Sequence, residues 1–405
     1  MKKTLKLFYF ITILYGIAAI SIDPLIPIIS KELNIGYDKI GLILLAAYIF
    51  SLASTLLTGR LCDKKNLKVI ILAGLLILFS GFTILGINFG IAMFVLAIIL
   101  QKSGYGSIDS SMHSYIAKVY HNMHAPIFMK IDIMFFTGAV ISPLLISLLL
   151  FTKISYRYAF LLFAGAIALL SILLFKSLKR LNLKKIISDN QKNIDSEISP
   201  VSKKEKKFNL IIISSCFAMF FSMGAMTGTS SWFTTYLSSF GISVALGAIG
   251  LSAMSVVSVI SLISYLKLLK KTNEITILLF GGFFGSLFIS GAALSSNIIL
   301  KVVFLLLQAG CFSGFFSLLT SIATYESPKS KGSILGLIIM CAFSGSIVFQ
   351  PVMGYFAQYL GSSSVIYVII SGYSLSFIFL LLLYFFLKKK YRKIKLLLPF
   401  KKKPL

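Results

Sequence analysis

Apolar stretches of about twenty residues recur twelve times along the 405-residue chain, separated by short clusters of Lys, Asn, Gly and Pro. A helix rising 1.5 Å per residue needs about 20 such residues to cross the roughly 30 Å hydrocarbon core of a bilayer. The pattern therefore predicts spanning helices near residues 7–29, 40–59, 67–87, 91–119, 131–151 and 157–177, and a second six near 208–238, 243–266, 274–295, 299–324, 332–358 and 363–387. The one long polar stretch between the two sets, Lys176–Lys207, holds ten Lys or Arg and four acids and reads as a linker between similar halves. The expected organisation is a first bundle over residues 1–178, a cytoplasmic linker over 179–207, a second bundle over 208–387 and a basic tail over 388–405. Met1–Ser21, with Lys2, Lys3 and Lys6 before an apolar run, looks like a secretory leader. The run continues through Asp23, Pro24 and Pro27 to Ile29, too long for a leader core, and is read as a retained span.

Composition agrees: 58% of the residues are apolar and 13% charged, against about 25% charged in soluble proteins, which excludes a soluble globular enzyme. A net charge of +27 would suggest nucleic acid if the 39 basic residues formed one stripe, but they lie between the apolar segments. Thirty-three fall on one side of the predicted helices and five on the other, leaving Lys102 inside helix 4. Since translocation disfavours Lys and Arg on the outer side, the expectation is a multi-pass monomer of a cell membrane, of the bacterial inner-membrane kind, with both termini cytoplasmic. No nucleic-acid partner is expected. The four cysteines lack metal-ligand spacing and the three histidines lack a companion nucleophile, so neither a catalytic centre nor a cofactor nor a metal is predicted.

Charges inside apolar helices cost several kcal/mol and mark functional candidates by default. Asp23 in helix 1, Lys102 and Asp109 in helix 4, and Asp132 at the opening of helix 5 are the strongest. Helical spacing puts Lys102, Gly106, Asp109 and His113 on one stripe, which belongs on a cavity. Lys102 and Asp109 can form a structural ion pair or serve a ligand; Asp132 can serve a ligand or complement its helix N-terminus. The second half is poor in polar groups, with Gln308 and Gln350 placed either for solute binding or for bonds between helices.

Two sixes joined by a basic linker resemble the major facilitator superfamily, and the run Gly59-Arg60-Leu61-Cys62-Asp63-Lys64-Lys65-Asn66-Leu67-Lys68 resembles its loop motif, with Lys64 where Arg is usual and Asn66 where Gly is usual. Tyr156-Arg157-Tyr158 and Gln350-Pro351-x-x-Gly354 extend the resemblance. It implies an all-α membrane protein of twelve transmembrane helices in two six-helix bundles, with Gly59, Asp63 and Lys64 gating one side. Asp23-Pro24-Leu25-Ile26-Pro27, Gly104-x-Gly106-x-x-Asp109-x-x-x-His113 and Gly138-Ala139-x-x-x-Pro143 are similar to the fucose permease branch of sugar:proton symporters, as are Trp232 and Tyr236. That likeness implies proton coupling through Asp23 and Asp109, with His113 beside them, and a solute site drawing on Asp109, Lys102, Asp132, Trp232, Tyr236, Gln308 and Gln350. The function expected is proton-coupled alternating-access transport of a small solute, a sugar being one candidate. The rivals are a drug:proton antiporter and, from another class, a non-transporting membrane sensor or scaffold.

Overall fold

The computed structural model describes residues 2–64, 67–87, 90–119, 125–179, 210–326 and 331–395. Among them are twelve crossings. Helix 1 runs Lys2–Ile20, breaks, and resumes as Ile26–Glu32; helices 2 to 6 are Tyr37–Lys64, Leu67–Ile87, Ile91–Val119, Ala125–Phe151 and Arg157–Lys179. Helices 7 to 9 are Leu210–Ser238, Val244–Leu268 and Glu274–Leu294; helix 10 runs Ile298–Phe312 and then Phe315–Tyr325; helices 11 and 12 are Lys331–Tyr359 and Val365–Lys395. Eleven are long and apolar enough to cross a membrane, and helix 6 carries the shorter apolar segment Arg157–Leu173. Large apolar side chains such as Leu57, Leu148, Phe280 and Phe385 point outward. Such a surface requires lipid around it.

The two halves repeat one design. Helix 1 packs on helix 5 and helix 7 on helix 11, and each pair approaches at backbone distance. A Cβ at Gly138 would strike the Ile13 carbonyl oxygen, and one at Gly345 the Phe220 carbonyl oxygen. Helices 1, 5, 7 and 11 also turn off at left-handed residues on the same side of the molecule, Asn34, Lys153, Gly241 and Gly361. Helices 1 and 7 begin, and helices 6 and 12 end, on the other side, called here the terminal side. The halves meet mainly through helix 2 on helix 11 and helix 5 on helix 8.

Four departures from the sequence expectation are the largest. Helix 1 is interrupted by a 3-10 turn at Asp23–Leu25, because Pro24 and Pro27 have no N–H for the carbonyls one turn earlier. Helix 10 breaks at Ser313 and Gly314. Helix 5 starts at Ala125, six residues earlier than 131, with Pro126 in its first turn where a missing N–H costs nothing; Asp132 therefore sits in the second turn and does not open the helix. Helix 12 continues to Lys395, through the start of the expected basic tail. The rest of the tail and the linker from residue 180 to 209 lie outside the described residues.

Candidate functional site

A cavity of about 140 Å³ lies between the halves, walled by helices 1, 2, 4 and 5 from the first and 7, 10 and 11 from the second. Asp23, Lys102, Asp109, His113 and Asp132, the charged and titratable groups expected for coupling and solute binding, all line it. Tyr15, Tyr48, Tyr105, Phe135 and Phe136 fill the space between them. The second half contributes Met223, Met226, Phe316 and Phe343 with the hydroxyls of Thr227, Ser230, Ser313 and Ser346, and no charge.

Lys102 does not pair with Asp109. The break in helix 1 strands the carbonyls of its last turn, and helix 4 supplies their donors: Gln101 Nε2 donates to Ala18 O at 2.7 Å and Lys102 Nζ to Ala19 O at 2.9 Å. The ammonium also lies 5.0 Å from the centre of the Tyr48 ring. Lys102 thus caps a helix C-terminus with positive charge, as Lys301 does at the end of helix 9 by donating to Ala292 O at 3.1 Å. Lys102→Met is accordingly expected to lower folding stability by about 1–3 kcal/mol through an unsatisfied carbonyl, with solute affinity nearly kept. Thermal unfolding and a binding titration on the same sample check this, and unaltered stability with lost binding would make Lys102 a solute ligand.

The three acids have different partners. Asp23, 4% exposed, accepts from Ser231 Oγ of helix 7 at 3.3 Å. Ser231 in turn accepts from Gln350 Nε2 at 3.3 Å, and Gln350 Oε1 accepts from Trp232 Nε1 at 2.9 Å. Asp132 accepts a hydrogen bond from Ser317 Oγ of helix 10. Asp109 lines the same cavity as Tyr15, with His113 Nδ1 3.5 Å from its Oδ1 and 2.9 Å from its backbone oxygen. The His113 ring stacks on Phe128 and meets Phe316 edge-on, at 6.0 and 5.4 Å between centres.

Asp23 and Asp132 thus each bridge the two halves, on opposite flanks of the cavity. Beyond Asp23 the closure continues where Tyr37 N donates to Gln358 Oε1 at 2.8 Å and where Gly41 touches the Gln350–Gly354 segment of helix 11. Beyond Asp132, on the terminal side, Ala125 N donates to Ser321 Oγ at 3.1 Å, and Phe128 clusters with Leu335, Ile339 and Phe343.

Several expected site residues stand off the cavity wall. Trp232 and Gln350 belong to the network behind Ser231, Tyr236 packs on Phe240, and Gln308 lines a separate side pocket. Gly59 faces Ser110 of helix 4 within its own half, where a Cβ would make ordinary contact at 3.5 Å. The side chains of Asp63 and Lys64 lie outside the described residues. Sequence reasoning missed Gln101, Ser231, Ser317 and the three tyrosines. Tyr105 was within reach, since it falls three residues after Lys102 and four before Asp109 on the same stripe.

Two repeated six-helix halves, meeting over one cavity with bridges on both flanks, define a carrier that exposes a single site to each side of a membrane in turn. The chain belongs to the Major Facilitator Superfamily, whose family model matches residues 8–349. It is a transporter and not an enzyme. A bacterial homologue of the human lysosomal transporter Spinster, crystallised inward-facing and occupied, shares the fold with a TM-score of 0.69 at 14% identity, over 96% of this chain and 97% of that one. The unoccupied inward-facing form of that homologue gives 0.67 at 13% identity with the same coverage. No curated protein matches the sequence.

Proposed function

We propose that the protein exchanges protons for an amphipathic solute carrying a cationic nitrogen. One observation carries this reading: among the described residues three carboxylates and one lysine line the cavity, and that lysine is engaged by the Ala19 carbonyl and the Tyr48 ring. A carboxylate in such a medium costs several kcal/mol unless neutralised. A proton or an organic cation can neutralise it, and the two compete for one group of carboxylates. The rest of the wall favours the cation's apolar part, since aromatic faces attract ammonium groups and thioethers adapt to irregular shapes.

A sugar is the weaker candidate. It needs several directed amides, whereas Gln350 is bonded to Trp232 and Ser231 and the second half offers the cavity only hydroxyls. The acid positions that resemble the fucose permease branch still support proton coupling, with Asp23 as carrier and Asp109 as the cation's partner. The basic bias of 33 to 5 supports cytoplasmic termini. Lys301, one of the five exceptions, is buried in its capping role and weakens the bias little.

Exchange of one proton for one monovalent cation moves no net charge, so the pH gradient alone drives it, with about 1.4 kcal/mol per pH unit. In proteoliposomes, labelled trimethyl(phenethyl)ammonium, which cannot cross lipid as a neutral base, is expected to accumulate on the acidic side. Dissipating the pH gradient should stop this, while collapsing the electrical potential should not. Accumulation that follows the electrical potential alone would defeat the exchange reading.

A further inference from the structure

Beside the central cavity a second pocket of about 30 Å³ opens between helices 7, 8, 10 and 12, and Ile20, Phe136, Met226 and Ser230 line both. Its wall includes Gln308, which is fully buried and whose Nε2 and Oε1 both lack a hydrogen-bond partner. Tyr373 lies beside it, its hydroxyl within electrostatic reach of the amide and 3.5 Å from Thr229 Oγ1, but without hydrogen-bond geometry to either amide atom. A buried amide left unpaired costs on the order of 1–3 kcal/mol. A fold keeps such a group where something comes to meet it.

The chemistry of the wall says what. The hydroxyls of Thr229, Ser255 and Ser258 donate to the carbonyls of Ala225, Leu251 and Met254, at 2.7, 3.2 and 2.9 Å, so their protons are already committed. An anion would therefore meet mostly lone pairs. No charged side chain lines the pocket, so a bare cation would have no counter-charge. A neutral group that both donates and accepts suits the amide, and the pocket has room for one small polar group.

We infer that this pocket is a specificity subsite: Gln308 receives an uncharged hydroxyl or amide of the transported solute while the cationic nitrogen lies among the acids of the main cavity. This rests on the cation-exchange reading above and adds the second recognition element. The substrate class becomes an organic cation bearing a hydrogen-bonding group at its far, otherwise apolar end.

The test uses the purified full-length protein, its Gln308→Leu variant and two probes, trimethyl(phenethyl)ammonium and its para-hydroxy analogue, with affinity read from ligand-induced thermal stabilisation. The variant without ligand is expected to melt at the wild-type temperature or above, because an unpaired amide has been removed. It should lose about tenfold in affinity for the hydroxylated probe, equivalent to about 1.4 kcal/mol, and keep its affinity for the parent compound. A lower melting temperature would make Gln308 a structural residue and overturn the subsite, as would equal changes for the two probes. If neither probe stabilised the wild type, the cation reading would fail separately. The ligand-free comparison would still decide the subsite, a fall overturning it and a rise supporting an amide held for a solute.

Discussion

Asp109→Asn should reduce the affinity for trimethyl(phenethyl)ammonium by at least about a hundredfold, or about 2.7 kcal/mol, while leaving the protein folded. Asp109 lines the cavity beside Tyr15 and His113 and has no Lys or Arg partner among the described residues. Its charge is thus available to a solute, and in a water-poor site a lost charge partner costs about 2–5 kcal/mol. Asn keeps the shape and the acceptor oxygen, so the backbone contact from His113 to the residue 109 carbonyl survives. Equilibrium binding to the purified variant measures the effect. A change below threefold would move the cation's partner to Asp132.

Asp23→Asn is expected to separate transport from its driving force: uphill accumulation falls to background while exchange of labelled for unlabelled solute persists within about threefold of wild type. Asp23 sits where helix 1 breaks and accepts from Ser231 across the interface of the halves. A carboxylate holds that serine hydroxyl more strongly than a neutral acid does, since charge-assisted hydrogen bonds are roughly twice as strong. On the proposed exchange reading, proton binding at Asp23 would loosen the bridge on that flank and so tie protonation to the change of access. Asn is neutral at every pH and leaves the bridge in its loosened condition permanently. Counterflow and pH-driven uptake in the same proteoliposomes distinguish the two activities, and retained uphill accumulation with normal proton movement would assign the carrier role elsewhere.

The sequence made the twelve crossings and the two-half division legible because membrane spans are written in long apolar runs with basic punctuation. The stripe on helix 4 was legible for the same reason, since 3.6-residue periodicity puts residues 102, 109 and 113 on one face. What periodicity does not encode is which helix faces which. Lys102 and Asp109 share a face and still do not pair, because the helix 1 break presents Lys102 with a nearer carbonyl. Ser231 and Ser317 look like many serines in these helices, and only the packing of helix 7 on the helix 1 break and of helix 10 on helix 5 makes them partners of acids. Trp232 was expected at the solute site through its resemblance to the fucose permease branch, yet its indole N–H is taken up by Gln350, a contact 118 residues away in the chain.

The central claim, that proton and organic cation compete for one set of carboxylates, is tested most directly by counting protons. Purified protein in weakly buffered detergent solution near neutral pH is titrated with trimethyl(phenethyl)ammonium while a pH indicator reports the protons released. Competition at a shared site requires release in proportion to binding, approaching about one proton per cation bound at pH values where the site is protonated and falling away as the pH rises. Saturable binding with no proton release across that range, or with proton uptake, would contradict the account.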